Sequence, residues 1–290
     1  MTASRGVSLW HAKARFRRAF TLLELLVAVV VLAILCVLLL QLTAGAQQLT
    51  RPALRQMDAF GQAQMVLNRL GMDWGECLAR PDTPLALTNA SAGAAVLQFF
   101  SAVPSTNGDR RISLTSYRIA RDANSPAPTG RLGLQRASRG TDWDTSFMGV
   151  APDGTPMDFS TLPASLQISG TDYDVLAPGV LRMAVSFHLR STGAWSDVPP
   201  QTGGAVNLAE LAGIVVTLVA LDEASVTHLT PEQTEAIAAA FPNPASGTLP
   251  APTWEAIAQN PANFSGMPAN IAQSLRVVQR YFPTGIFQRP

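Results

Sequence analysis

The sequence predicts an α+β protein. A long N-terminal helix, first transmembrane and then amphipathic, is expected to pack on an antiparallel β-sheet head that carries a C-terminal extension. Three observations predict this class: an apolar run after a basic stretch, apolar residues at helical spacing beyond it, and then alternating strand patterns bounded by turn residues. With 290 residues and 47% hydrophobic content, the chain is long enough for a membrane segment and a globular core.

Charge is unevenly distributed along the chain. The net charge is +1 at pH 7, and only 14% of the residues are charged. Residues 1–19 contain five basic and no acidic side chains, so the remaining residues together carry a net charge of −4. The predicted head is therefore mildly acidic, and a basic surface for nucleic acid is not expected.

Residues 20–42 are predicted to cross a membrane as a helix. The run is apolar except for Thr21, Glu24 and Gln41, and at about 1.5 Å per helical residue it spans a hydrocarbon core of roughly 30 Å. The basic residues before it predict a cytoplasmic N-terminus and an extracytoplasmic head.

Two other interpretations of this segment are open. A cleavable secretory signal fits less well, because the apolar run exceeds the usual length and only Ala44-Gly45-Ala46 offers small residues after it. An ordinary signal anchor leaves Glu24 unexplained, since an ionisable residue inside a membrane segment is costly and indicates a function.

The residues around this acid resemble a processing site. The stretch RRAFTLLELLVAVVVLAIL, residues 17–35, is similar to the N-termini of type IV pilins and type II secretion pseudopilins. The resemblance implies that a prepilin peptidase cleaves between Ala19 and Phe20 and N-methylates Phe20. It also implies that Glu24, the fifth mature residue, is an assembly contact that pairs with the amine of Phe20 on an adjacent subunit. The chain departs from the family in having Ala19 where glycine is usual, and in lacking a proline before Pro52.

The resemblance implies a function and a set of partners. The chain would be a minor pilin or pseudopilin, anchored in the inner membrane by a single pass and later assembled into a type IV pilus-like or type II secretion filament. The implied partners are a prepilin peptidase, other pilin or pseudopilin subunits, an inner-membrane assembly platform and membrane lipid, without nucleic acid or a cofactor. The alternative is a permanently membrane-anchored extracytoplasmic module for binding or adhesion.

Beyond the leader (1–19) and the transmembrane helix (20–42), the helix is predicted to continue over residues 43–76. Pro52 lacks a backbone donor and is expected to kink it. One apolar stripe at intervals of three or four residues predicts a face that packs on the head or on neighbouring subunits. This stripe comprises Leu42, Ala46, Leu49, Ala53, Met57, Phe60, Ala63, Leu67, Leu70 and Trp74.

Residues 77–222 are predicted to form the β-rich head. Strands are expected at 94–103, 111–120, 131–138, 179–190 and 211–222, the last of them buried on both faces. The order of these elements resembles that of the J-class minor pseudopilins. It consists of the helix and then the segments SYRIA, LGLQR, VLRMAVSFHL and AGIVVTLVALD. Most of the chain also resembles the pilin-like group called Verru_Chthon cassette protein C.

Residues 223–290 are predicted to extend this head. A helix with a capping box is predicted here. Its N-cap is Thr230, Pro231 takes the first helical position, and Gln233 lies three residues after the cap. A further turn of helix is expected from Thr253. The segment 269–282 fits either a helix or a closing strand.

Chemistry-bearing residues are sparse, and no enzymatic activity is predicted. His11, His188 and His228 are dispersed, and no hydrolase, zinc-protease or phosphate-loop motif is present. Acidic pairs could offer oxygens to calcium but lack EF-hand spacing, so no metal site is expected; they are Asp142 with Asp144, Asp172 with Asp174, and Asp153 with Asp158.

The two cysteines are not expected to form a disulfide. Cys36 and Cys77 lie 41 positions apart, which is about 60 Å if the helix is continuous. Cys36 is predicted to face lipid or pack in the membrane segment, and Cys77 to be a buried thiol.

Overall fold

The computed structural model describes residues 21–78, 85–89, 95–104, 112–122, 130–140, 167–202, 205–268 and 270–285. It confirms the α+β class, with a long N-terminal helix and antiparallel sheets. Contacts divide the chain into two compact units, Met1–Thr50 and Arg51–Pro290. The finer predicted boundaries, after residues 19, 42, 76 and 222, stay predictions.

Helix α1 runs from Leu22 to Gly75 and includes Pro52. In the first unit, Leu22–Gly45 has a mean hydropathy of 3.2 and none of it is buried. A helix of this length and composition can cross a membrane.

In the second unit, one face of α1 packs on the core. This face consists of Ala59, Ala63, Val66, Leu67, Leu70 and Trp74, all at most 2% exposed. The predicted stripe packs on the core from Ala63 onward, whereas Met57 and Phe60 are 70% and 49% exposed. Ala46 and Leu49 lie outside the described side chains. Gln62 Oε1 accepts from the Gly179 amide at 3.0 Å, and Ala59, three residues earlier on the helix, is fully buried.

The larger sheet has five antiparallel strands in the order β1-β2-β3-β4-β5. The strands are β1 Leu85–Asn89, β2 Ala95–Ser101, β3 Ser113–Arg121, β4 Leu132–Gly140 and β5 Asp174–Ala177. The second sheet has the order β11-β10-β6-β7, and a small third sheet pairs β8 with β9. Their strands are β6 Val180–Leu189, β7 Trp195–Ser196, β8 Gln201–Thr202, β9 Ala205–Val206, β10 Leu211–Ala220 and β11 Arg276–Pro283.

All five predicted strands are present, as β2, β3, β4, β6 and β10. Strand β10 is buried along almost its whole length, as its continuous apolar pattern predicts. The short strands β1, β5, β7, β8 and β9 were not predicted, because two to five residues give little periodicity.

The C-terminal extension packs on the second sheet and completes it. It contains α2 Glu223–Thr227, α3 Pro231–Ala239, α4 Ala251–Gln259 and α5 Asn270–Ser274. The predicted capping box of α3 is formed between Thr230 and Gln233, whereas α4 starts two residues before Thr253. The ambiguous segment 269–282 contains both elements, because a short helix is followed by β11, which pairs with β10.

Two close approaches hold the extension in place. A Cβ at Gly71 of α1 would lie 2.8 Å from the ring of Phe282, so the glycine admits this ring of β11. The buried Arg182 of β6 donates from Nε to the carbonyl of Phe241 at 3.2 Å, and its Nη2 donates to Asn243 Oδ1.

A buried carboxylate connects α1 to the larger sheet. Asp73 is 0% exposed, and its Oδ2 accepts from the Tyr117 hydroxyl at 2.6 Å and from Arg136 Nε at 2.7 Å. Arg69, one turn earlier on α1, places Nη2 3.4 Å from Asp73 Oδ1. Burial and the negative charge of Asp73 raise the pKa of Tyr117, so its hydroxyl stays protonated and continues to donate.

Replacing the buried carboxylate should destabilise the head strongly. Asp73→Asn leaves the Arg136 guanidinium buried without its counter-ion, which is expected to cost about 3 to 5 kcal/mol of unfolding free energy. Glu235→Gln is the matched control, because it breaks the ion pair between Glu235 and Arg121. Both side chains of this pair are largely exposed, Glu235 by 44% and Arg121 by 39%. The control should lose much less, because solvent screens an exposed ion pair. Urea unfolding of the full chain in detergent, followed by tryptophan fluorescence, measures both; equal losses would contradict the assignment.

Candidate functional site

The predicted processing and assembly residues lie at the start of α1. Ala19 and Phe20 are outside the described residues, so the cleavage and methylation positions stay predictions. Glu24 lies in the first turn of the helix, where its negative charge is close to the positive end of the helix dipole.

Thr21 caps this helix. The Glu24 amide donates to Thr21 Oγ1 at 3.2 Å and to the Thr21 carbonyl at 3.1 Å, and the Leu25 amide donates to the same carbonyl at 3.2 Å. Thr21 and Glu24 also have the three-residue spacing of a capping box. The sequence analysis did not predict Thr21 as the N-cap, although its three-residue spacing from Glu24 indicates one.

The carboxylate of Glu24 is accessible. Glu24 is exposed, and the adjacent residues Leu23 and Leu25 are 72% and 61% exposed. Within the described residues, no donor lies within hydrogen-bond distance of the Glu24 carboxylate. A donor from another chain can therefore reach it without displacing an internal partner.

The whole surface around Glu24 is apolar and uncovered. Every residue from Thr21 to Gly45 is exposed, including 16 leucine, isoleucine and valine side chains that are between 49% and 84% exposed. A surface of this size is stable only against lipid or other apolar helices.

A second exposed apolar face lies on the part of α1 in the second unit. Leu54, Met57, Met65 and Met72 are between 47% and 70% exposed. Together with Gly61 they follow helical spacing and lie on the side of α1 opposite the buried face. We call these five residues the outer stripe. The stripe predicted from the sequence shares only Met57 with it.

The acidic pairs are not arranged as a metal site where the structure describes them. Asp172 Oδ2 accepts from the Ser169 amide at 2.7 Å and from Arg139 Nη1 at 3.3 Å. The Ser169 hydrogen bonds, with Arg139 adding to them, lower the pKa of the Asp172 carboxyl. The neighbouring Asp174 is exposed. In the described ranges no three His, Cys, Asp or Glu residues form a metal-holding group. The other predicted pairs lie outside those ranges; they are Asp142, Asp144, Asp153 and Asp158.

The histidines are also separated from one another. His188 stacks on Trp195 with ring centroids 4.5 Å apart and contacts Tyr281 edge-on at 5.9 Å. His228 is an exposed C-cap of α2, and His11 lies outside the described residues. His188 therefore belongs to a small aromatic cluster across β6, β7 and β11.

Comparisons with known proteins identify one region of the chain. The family model described as the prokaryotic N-terminal methylation motif matches residues 14–40. This range covers the predicted cleavage position, Glu24 and most of the candidate membrane span. No curated protein and no solved structure matches the chain significantly.

The two cysteines are free, and they should differ in reactivity because they differ in burial. Cys36 is exposed on the apolar helix, whereas Cys77 is partly buried beside Ser101 at the end of β2. Burial raises the pKa of the Cys77 thiol from 9.0 to about 12. Because only the thiolate is nucleophilic, the reactive fraction at pH 8 falls about 1,000-fold.

Alkylation of Cys77 by iodoacetamide at pH 8 should therefore be strongly suppressed in the folded chain. Unfolding in urea should restore the rate of an ordinary thiol, which provides the internal control. Quantitative mass spectrometry of the Cys77 peptide measures both rates. A folded-state rate within tenfold of the unfolded rate would show that the thiol is not shielded.

Proposed function

We propose that this type IV pilin- or pseudopilin-like protein is the precursor of a minor filament subunit. The methylation motif at residues 14–40 is the observation that carries the proposal, because it covers both the end of the basic leader and the apolar helix. A prepilin peptidase hydrolyses the peptide bond between Ala19 and Phe20 and transfers a methyl group to the new amine of Phe20. The partners are this peptidase, other pilin or pseudopilin subunits and an inner-membrane assembly platform.

The anchor has a defined orientation in this proposal. The five basic residues of the leader stay in the cytoplasm, and the single span Leu22–Gly45 crosses the inner membrane. The head, with its extension, is then extracytoplasmic. Because Ala19 is small, it leaves room for the peptidase at the bond to be cleaved.

Assembly replaces lipid around α1 with the helices of neighbouring subunits. The accessible Glu24 carboxylate pairs with the cationic amine of Phe20 on an adjacent subunit, and this pair fixes the axial register of the helices. The exposed outer stripe continues the apolar contact beyond the span. Its methionines adapt to an irregular partner surface, and Gly61 has open space around its Cα that permits close approach of a neighbouring helix.

Processing is the first testable step. In a cell that contains a prepilin peptidase, the mature chain should begin at N-methyl-Phe20, and intact-protein mass spectrometry of the purified chain measures this. Ala19→Gly should process at least as fast, whereas Ala19→Leu should retain the leader because a bulky side chain obstructs the scissile bond. A wild-type chain that keeps residues 1–19 would favour the permanently anchored binding or adhesion module instead.

Assembly is tested at Glu24. Glu24→Gln keeps a capping side chain at this position but removes the charge, so filament incorporation should fall at least tenfold while membrane insertion and folding are retained. Gln41→Ala, which removes an uncharged polar side chain from the same run, is the matched control and should assemble normally. Shearing the filaments and quantifying the subunit by immunoblot measures incorporation. If Glu24→Gln assembles like wild type and only Glu24→Ala fails, Glu24 acts in helix capping and the charge pair is wrong.

A further inference from the structure

A pocket in the second unit is lined by two arginines from different elements. Its volume is about 330 Å³, which lies at the small end of the roughly 300 to 1,000 Å³ of small-molecule sites. Helix α1 supplies Arg69, β4 supplies Arg136, and β5 supplies Asp174, Val175 and Leu176. The walls therefore combine two guanidinium groups with a short strand that carries one acid and two apolar side chains.

The two arginines share one carboxylate. Arg136 donates from Nε to Asp73 Oδ2 at 2.7 Å, and Arg69 places Nη2 3.4 Å from Asp73 Oδ1. Among the described residues, neither arginine forms a second ion pair. Because Asp73 carries a single negative charge, the two guanidinium groups lie side by side with one positive charge that it does not compensate.

Hydrogen-bond donors on both arginines are also unused. In the part of the chain that the structure describes, Arg136 Nη2 and Arg69 Nε are buried and have no hydrogen-bond partner. Arg136 as a whole is only 9% exposed, so leaving its donor without an acceptor is costly. The contact of Arg69 with Asp73 is longer than the roughly 2.7 to 2.9 Å of a charge-assisted hydrogen bond, and the Arg69 side chain is 38% exposed. Arg69 is therefore held loosely and can turn toward an acceptor that enters the pocket.

We propose that this pocket binds the carboxylate of a small monoanion with an apolar tail, held between Arg69 and Arg136. A carboxylate accepts two parallel hydrogen bonds from the planar guanidinium fork, and its single charge equals the uncompensated charge of the arginine pair. Val175 and Leu176 offer apolar surface to the tail. The proposal does not depend on processing or on filament assembly.

Asp174 restricts the charge of the ligand. It lies directly opposite Arg136 in the register of β4 and β5, it is exposed, and it forms no ion pair with any described residue. Its negative charge at the wall of the same pocket repels an anion, and it repels a dianion more strongly than a monoanion. The pocket should therefore favour a carboxylate over a phosphate, and removal of the Asp174 charge should tighten anion binding.

Binding of butanoate to the full chain in dodecyl maltoside micelles tests the pocket. Saturation-transfer NMR of the butanoate methyl group measures the Kd. Arg69→Gln should raise this Kd about fivefold or more, because it removes the surplus charge and its donors. Asp174→Asn should lower the Kd about threefold or more, because it removes a repulsive charge. Arg139→Gln, on the opposite face of β4, is the matched control and should leave the Kd within about twofold of wild type.

Competition defines the ligand class and shows which results overturn the proposal. Inorganic phosphate and butylammonium should each displace butanoate about tenfold less well than unlabelled butanoate does. Equal displacement by butylammonium, no saturable binding of butanoate to the wild type, or weaker binding by Asp174→Asn would overturn it. So would an unchanged Kd in Arg69→Gln. Because Asp174 is exposed, its variant should keep the fold, so the test holds even if Arg69→Gln lowers the temperature of thermal unfolding.

Discussion

The carboxylate of Asp73 is the contact on which the architecture of the head depends. It lies on α1 and receives the Tyr117 hydroxyl from β3 and the Arg136 guanidinium from β4. A charge in this position is costly to bury unless its partners are in place. The interaction therefore fixes both the rotation of α1 and the distance between the helix and the larger sheet, and Trp74 and Phe99 then stack edge to face beside it with centroids 5.2 Å apart.

Fixing one side of α1 leaves its opposite side available. Once Asp73 and the buried face from Ala59 to Trp74 point to the core, the residues of the outer stripe must point away from it. The same helix thus stabilises the head and exposes an apolar surface on its other side. The proposed filament subunit needs this division, since its head would fold before assembly and its helix would later exchange lipid for protein.

The extension adds an independent layer to the head. Strand β11 closes one edge of the second sheet, and the buried Arg182 holds the segment around Phe241 against β6. Because β11 takes the edge position, the long buried strand β10 is paired on both sides. Residues of α4, α5 and β11 also line a groove beside α1, so the extension contributes surface as well as stability.

The sequence by itself determined the local features. The apolar span, the five long strands and the Thr230 capping box follow from composition, alternation and short-range hydrogen bonding, which are properties of neighbouring residues. The methylation motif is equally local, and it is the part that the comparisons with known proteins support. Only the tertiary structure decided where the buried face of α1 begins, because Met57 and Ala59 are both acceptable to helical periodicity. Long-range partners made that choice: Gln62 contacts Gly179, and Asp73 contacts Tyr117 and Arg136. Such contacts join residues 44 to 117 positions apart, a separation that no window of sequence periodicity can cover.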